Sequence, residues 1–230
     1  MICLLKVVVV VVLPLFIASL LFAPLISHAY AALYYKEQSD FSETTVPAAN
    51  YKWDHSLQWC IYKEPGVPNK YYVWVKLAVQ DWKKALREYT GNIQEWNMSA
   101  RYVSDESGMA GCDVRVFIYD TYRDFPGYPD QKGAYTVVKY SGGIASSASV
   151  YMSPKVLHGD GVTELDLRGY AFRNSAVHEA GHVLGLSHMA REKGYLMSPV
   201  FDFFEQSDQL PITTLELGAL VDIYGTDGFS

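Results

Sequence analysis

The chain has 230 residues, half of them hydrophobic, with 25 acidic against 19 basic side chains and a formal net charge of −6. A mildly acidic chain without a basic run lacks the electrostatic footprint of a nucleic-acid binder, so that class of partner is excluded. No internal repeat is present, and the length suits one domain with a proper core. The first residues form a separate object. Lys6 precedes an apolar run from Val7 to Ile26, and Ala29-Tyr30-Ala31 fits a small-x-small cleavage site. Residues 1–31 therefore read as a secretory leader cut after Ala31. The competing reading is an uncleaved N-terminal membrane anchor, because a run of about 20 apolar residues can span a bilayer. Pro14 and Pro24 count against a regular membrane helix there. Either way the remainder is expected outside the cytoplasm, secreted or anchored at the cell surface. Residues 32–52 are polar and read as a mobile lead-in or short propeptide, ahead of a domain spanning 53–230. Loss of the leader removes Cys3 and leaves Cys60 and Cys112, one pair that invites a disulfide in an exported chain. Two independent buried thiols are the alternative.

Along the domain, Leu57 to Tyr62 is strand-like and Pro65 to Asn69 a turn. A long helix follows to about Thr90, whose stripe of Trp74, Ala78, Trp82, Ala85 and Tyr89 predicts one buried face. Met98 to Val103 and Asp113 to Tyr119 read as strands. Asn97-Met98-Ser99 is a glycosylation sequon of low specificity. Thr121 to Lys132 is a loop with Asp124 and Asp130 in it and Asp120 just before it. Solvated carboxylates are the preferred reading over a calcium site, which has no further support. Gly133 to Tyr140 and Ile144 to Met152 predict a hairpin turned at Ser141-Gly142-Gly143. Ser153 to Gly169 reads as a loop; its His158 and Asp160 suggest solvated residues rather than metal ligands. A helix is expected from about Asp166 to Leu184, with Ala171, Ser175, His178 and His182 on one face. The opposite face, with Phe172, Ala176, Ala180, Val183 and Leu184, is available for packing. Near the end, Thr213-x-x-Glu216 is a capping box opening a helix with Leu217, Leu220, Val221 and Tyr224 buried. No carbohydrate- or matrix-binding domain is expected after it.

The chemistry concentrates in His178 to His188. His178 and His182 are four residues apart, so their imidazoles stack on one face of a helix. Glu179 is placed beside any metal they hold, where its carboxylate can take a proton from water. His188 lies too far round the same helix to be aimed at that ion. Gly185, able to adopt positive φ, ends the helix and turns the chain back. Three neutral imidazoles with one position left for water is the catalytic arrangement for zinc, whereas structural sites use four protein ligands. A chance match to all five residue types at this spacing is on the order of one in ten thousand for a chain of this length, which decides for a metal site over a polar helix surface.

His178 to His188 resembles the HExxHxxGxxH motif of the metzincin metalloproteases. Tyr195-Leu196-Met197-Ser198-Pro199 is similar to the Met-turn of that family, with Met197 as an apolar floor rather than a ligand. The order of elements from about 55 to 225 resembles the matrixin branch, the matrix-metalloproteinase-like catalytic domains. The resemblance implies an α+β fold: a twisted mixed β-sheet of about five strands, a long scaffold helix, an active-site helix and a C-terminal helix. It implies a zinc endopeptidase, expected to be a monomer, with one Zn2+ on His178, His182 and His188 and Glu179 as general base. A polypeptide substrate would lie extended along a sheet-edge strand through Ala134, Tyr135, Thr136 and Val137. Pro199 and Phe201 would belong to the wall of the substrate pocket, with Val200 beside them and Phe203 and Phe204 near it. Cys60 and Cys112 would sit on neighbouring strands. This chain also departs from the pattern. No cysteine occurs between Ala32 and Trp59 to cap the zinc, and Cys60 reads as a packed residue. No histidine lies between His55 and His158 for a second zinc, so loop stability must come from elsewhere, such as a Cys60–Cys112 bond. Phe201 stands where matrixins have tyrosine, and Met189 follows the third histidine, where other branches carry a characteristic residue. A non-catalytic metzincin-fold binding module and a zinc hydrolase for non-peptide amides are the competing readings. The intact Glu179 argues against the first and the edge strand against the second.

Overall fold

The computed structural model describes residues 34–37, 45–127, 133–157, 163–167, 170–190, 194–199 and 208–229. The leader with Cys3, and also Asp130, His158, Asp160, Val200, Phe201, Phe203 and Phe204, lie outside the described residues. No described helix is long and apolar enough to cross a membrane.

Five strands form the main sheet: β1 (Leu57–Lys63), β2 (Met98–Val103), β3 (Val114–Ile118), β4 (Ala134–Ser141) and β5 (Ile144–Met152). Their order is β2-β1-β3-β5-β4. All neighbours are parallel except β4, which runs antiparallel to β5 as the first arm of a hairpin. The expected mixed five-stranded sheet with three helices is present. The helices are α1 (Asn69–Thr90), α2 (Ala171–Val183) and α3 (Thr214–Tyr224).

Strand alternation divides the sheet into two differently furnished faces. The row Ile61, Val116, Val150 and Thr136, in register across four strands, faces the helices. Its three aliphatic members are buried in the main core with Trp82 of α1 and Ala180 of α2. The next row, Tyr62, Phe117, Tyr151 and Tyr135, stands on the opposite face. There Phe117, Tyr151 and Tyr135 stack in sequence at centroid separations of 5.1 and 4.8 Å. Cys60 and Cys112 are joined in a disulfide on this second face, Cα atoms 5.9 Å apart, inside a small cluster with Val103 and Met109.

Three details differ from the sequence reading. The buried stripe of α1 is rotated: Tyr71, Val75, Ala78, Val79, Trp82, Ala85 and Leu86 are buried, whereas Trp74 is only partly so and Tyr89 is exposed. Tryptophan and tyrosine bias a periodicity count because their size draws the eye, yet both can sit at the margin of a face with a polar tip in water. Residues 153–169 are not all loop, since Lys155–Leu157 (β6) and Glu164–Asp166 (β7) pair antiparallel. That pairing takes up Asp166, so α2 begins at Ala171, five residues later than expected. The capping box of α3 forms, with Thr213 accepting from Leu215 N and Glu216 accepting from Thr213 N at 2.9 Å.

The lead-in is the fourth difference. Residues 45–52 are not a free tail: Ala49 N donates to Gly185 O at 2.7 Å and Ser187 N to Pro47 O at 2.7 Å. Lys52 then bonds the β4–β5 turn, donating to Gly143 O at 2.9 Å and accepting from Ala145 N at 2.8 Å. A polar composition conceals such a strap because its backbone, not its side chains, makes the bonds.

Candidate metal centre

Helix α2 is the carrier of the site, and it is buried almost throughout. Trp82 of α1 donates its indole N–H to Val177 O at 2.8 Å, and Arg173 pairs with Asp81, clamping the two helices together. Asn174 of α2 reaches the returning chain, donating to Asp208 O at 2.9 Å and accepting from Leu210 N at 3.0 Å.

His178 and His182 project from one side of α2, and the chain then turns at Gly185, whose φ is +105°. A Cβ at Gly185 would meet Tyr51 O at 3.1 Å, so glycine serves both the turn and the close approach of the strap. The turn delivers His188. The three Nε2 atoms converge, 3.0 Å for His178–His182, 3.0 Å for His182–His188 and 3.2 Å for His178–His188. The outward nitrogens of two rings are held by carbonyls: His178 Nδ1 by Leu196 O at 2.6 Å and His182 Nδ1 by Leu186 O at 2.8 Å. A carbonyl can only accept, so each Nδ1 carries the proton and each of those Nε2 atoms presents a lone pair.

Lone pairs aimed at one another are satisfied only by a shared cation. Tetrahedral zinc with Zn–N bonds of about 2.0–2.1 Å places its nitrogen ligands about 3.3 Å apart, close to the triangle seen here. The donor set therefore fits zinc, and it is the group of metal-ligating side chains found among the described residues. Burial pushes the pKa of all three histidines down, furthest for His178, which also feels His182. They are thus held in the neutral form that binds metal.

Glu179, adjacent in sequence, is buried, and burial raises its carboxyl to about 7 in the metal-free protein. Thr136 of β4 donates from Oγ1 to Glu179 Oε2 at 2.6 Å. Met197 sits beneath α2 with no exposure, and a Cβ at Gly181 would meet its sulfur at 2.6 Å. The methionine thus packs on bare helix backbone. Met189 N donates to Met197 O at 2.9 Å, tying the segment after His188 to the same turn.

The remaining substrate-side residues separate by face. Ala134, Tyr135, Thr136 and Val137 all lie on β4, an edge of the sheet. Thr136 turns toward Glu179, while the Tyr135 ring belongs to the opposite face and its hydroxyl donates to Pro126 O at 2.9 Å. Pro199 is exposed at the end of the Met-turn segment. In the described part of the loop after β3, Phe125 packs on Tyr135 and Tyr151, and Arg123 pairs with Glu164 at 3.1 Å. Asp120, one of the calcium candidates, pairs with Lys155 at 2.5 Å.

Sequence reading missed the residues that finish the C-terminal end of α2. Tyr51 donates its hydroxyl to His182 O, Trp53 Nε1 donates to Val183 O at 2.7 Å, and Tyr224 donates to Leu184 O at 2.8 Å. These carbonyls belong to the last turn, where a helix leaves acceptors unsatisfied. The isolated Trp53 in a polar stretch was the one signal that could have flagged the strap.

The family model for the matrixins matches residues 40–225. No curated protein matches the chain.

Proposed function

The chain belongs to the matrixin family, whose members are zinc-dependent peptidases, and from that premise we propose that it is an exported endopeptidase with Glu179 as general base. The observation that carries the proposal is the convergence of three Nε2 atoms, with a buried carboxyl beside them in sequence that is not part of the converging group. His178, His182 and His188 would hold the ion, which supplies Lewis acidity and an activated water. Glu179 accepts the proton as attack begins and returns it to the leaving amine, a role that needs a carboxyl close to the ligands without joining them. The backbone of β4 orients a polypeptide by adding it as a further strand, so that any sequence can lie extended past the site. Gly181 lets Met197 pack directly against the backbone of α2 beneath the site. Export is supported by the apolar run after Lys6 and by a buried disulfide, a bond that persists in oxidising compartments.

The test is hydrolysis of a mixed quenched-fluorescent peptide pool by the zinc-loaded protein beside Glu179→Gln. Cleavage by the parent, reduced about 100- to 10,000-fold in the variant and abolished by chelation, is expected. A folded parent with one zinc per chain and no cleavage would favour the binding-module reading.

A further inference from the structure

We propose that Thr136 is the positioning residue of the general base: its hydroxyl holds the Glu179 carboxylate in one orientation and leaves Oε1 as the proton-accepting oxygen. This rests on the peptidase reading and deepens it.

The row of β-sheet residues facing the helices runs Ile61, Val116, Val150 and then Thr136. Three are aliphatic and fully packed. The fourth, at the sheet edge, replaces one methyl of a valine shape by a hydroxyl, at the position where the row reaches Glu179. Thr136 Oγ1 lies 2.6 Å from Glu179 Oε2 and 3.4 Å from the Glu179 carbonyl. Only the first is short enough to be a strong bond, and a bond to an ionised acceptor is the shorter and stronger kind. No other side chain among the described residues bonds the Glu179 carboxyl.

Threonine is suited to this task because its β-branch restricts χ1. A stiff donor on a strand fixes a flexible glutamate on a helix. With Oε2 engaged by the Thr136 proton, Oε1 has no side-chain donor among the described residues and keeps its lone pairs for the proton of the attacking water. The residue is also part of β4, so the strand that seats the peptide is the strand that holds the base.

The test compares Thr136→Val, which keeps the shape and loses the hydroxyl, with Thr136→Ser, which keeps the hydroxyl, in the full zinc-loaded chain. Thr136→Ala serves as a second hydroxyl-free variant should valine fail to fold. Loss of the hydroxyl should lower kcat about 10- to 100-fold, as misplacement of a reacting group does, with KM within about twofold and zinc still one per chain. Serine should restore kcat to within about threefold. An activity-independent readout is the affinity of a peptide hydroxamate, whose N–O–H offers the base a proton. That affinity should fall about tenfold on Thr136→Val in the parent but not in the Glu179→Gln background, the non-additivity expected of residues acting as a unit. Unchanged kcat in both hydroxyl-free variants, a change confined to KM, or an equal loss of hydroxamate affinity in both backgrounds would overturn the proposal. Absence of cleavage by the parent would instead sink the peptidase reading, and the hydroxamate cycle would still decide whether Thr136 acts through Glu179.

Discussion

Tyrosines do two different jobs on the two sides of this molecule. Around the C-terminal end of α2, Tyr51 and Tyr224 are used by their tips: Tyr51 donates its hydroxyl to the carbonyl of His182 and Tyr224 to that of Leu184, and burial raises the pKa of both. Across the outer sheet face, Tyr151, Tyr119 and Phe117 are used by their rings, stacked within 10° of parallel. A phenylalanine serves in that ladder as well as a tyrosine does. The difference teaches where one oxygen matters. At the helix end a lost hydroxyl removes a long-range bond to a backbone carbonyl; in the stacked ladder the rings carry the contact.

Acid should separate the two regions most widely. In metal-free protein, His178, His182 and His188 have folded pKa values below the 6.5 of the unfolded chain. The unfolded state then binds more protons below pH 6.5, so their contribution is complete above that pH and is lost as pH falls toward the folded values. Glu179, raised from 4.5 to about 7, acts oppositely: the neutral acid is favoured in the fold, and its contribution grows as pH falls through that window. The melting temperature of chelated Glu179→Gln protein should therefore fall from pH 8 to pH 5, and more steeply than that of the parent, in which the carboxyl opposes the histidines. A flat or rising profile in both proteins would contradict this assignment. Tyr151→Phe, in the aromatic ladder away from the histidines, should leave the profile's shape intact.

Among substitutions, Trp53→Ala should cost the most. It empties a fully buried indole site and strands Val183 O, and about 3–5 kcal/mol is expected from urea unfolding. Tyr51→Phe removes one oxygen from His182 O; about 1–2 kcal/mol and about a tenfold loss of zinc affinity in chelator competition should follow. Tyr151→Phe, the matching change in the ladder, should move stability by less than about 0.5 kcal/mol. Equal effects from Tyr51→Phe and Tyr151→Phe would erase the distinction between tips and rings.

What was legible beforehand follows the same division. The His178–His182–His188 set, Glu179 and the Gly185 turn could be read because helix periodicity and a positive φ act over a few residues. The β4–β5 hairpin and the capping box at Thr213 were legible for the same local reason. The rotated stripe of α1 and the late start of α2 were not, because each depends on a partner: the neighbouring core in one case, the β6–β7 pairing in the other. Thr136 was placed on the correct strand but assigned to substrate alone, since only the fold brings it to a glutamate 43 residues away. The strap was read as a tail because backbone bonding leaves no pattern in side-chain polarity.

The donors that close the last turn of α2 come from opposite ends of the chain, Tyr51 and Trp53 about 130 positions before the carbonyls they meet and Tyr224 40 after. Contacts so distant in sequence must wait for large loops to close, and such closure slows folding. A nascent chain lacking its final helix therefore has no Tyr224 hydroxyl to meet Leu184 O and cannot complete the end of α2. Tight zinc uptake becomes a timestamp: it marks the moment at which the whole domain, rather than the histidine segment alone, has folded.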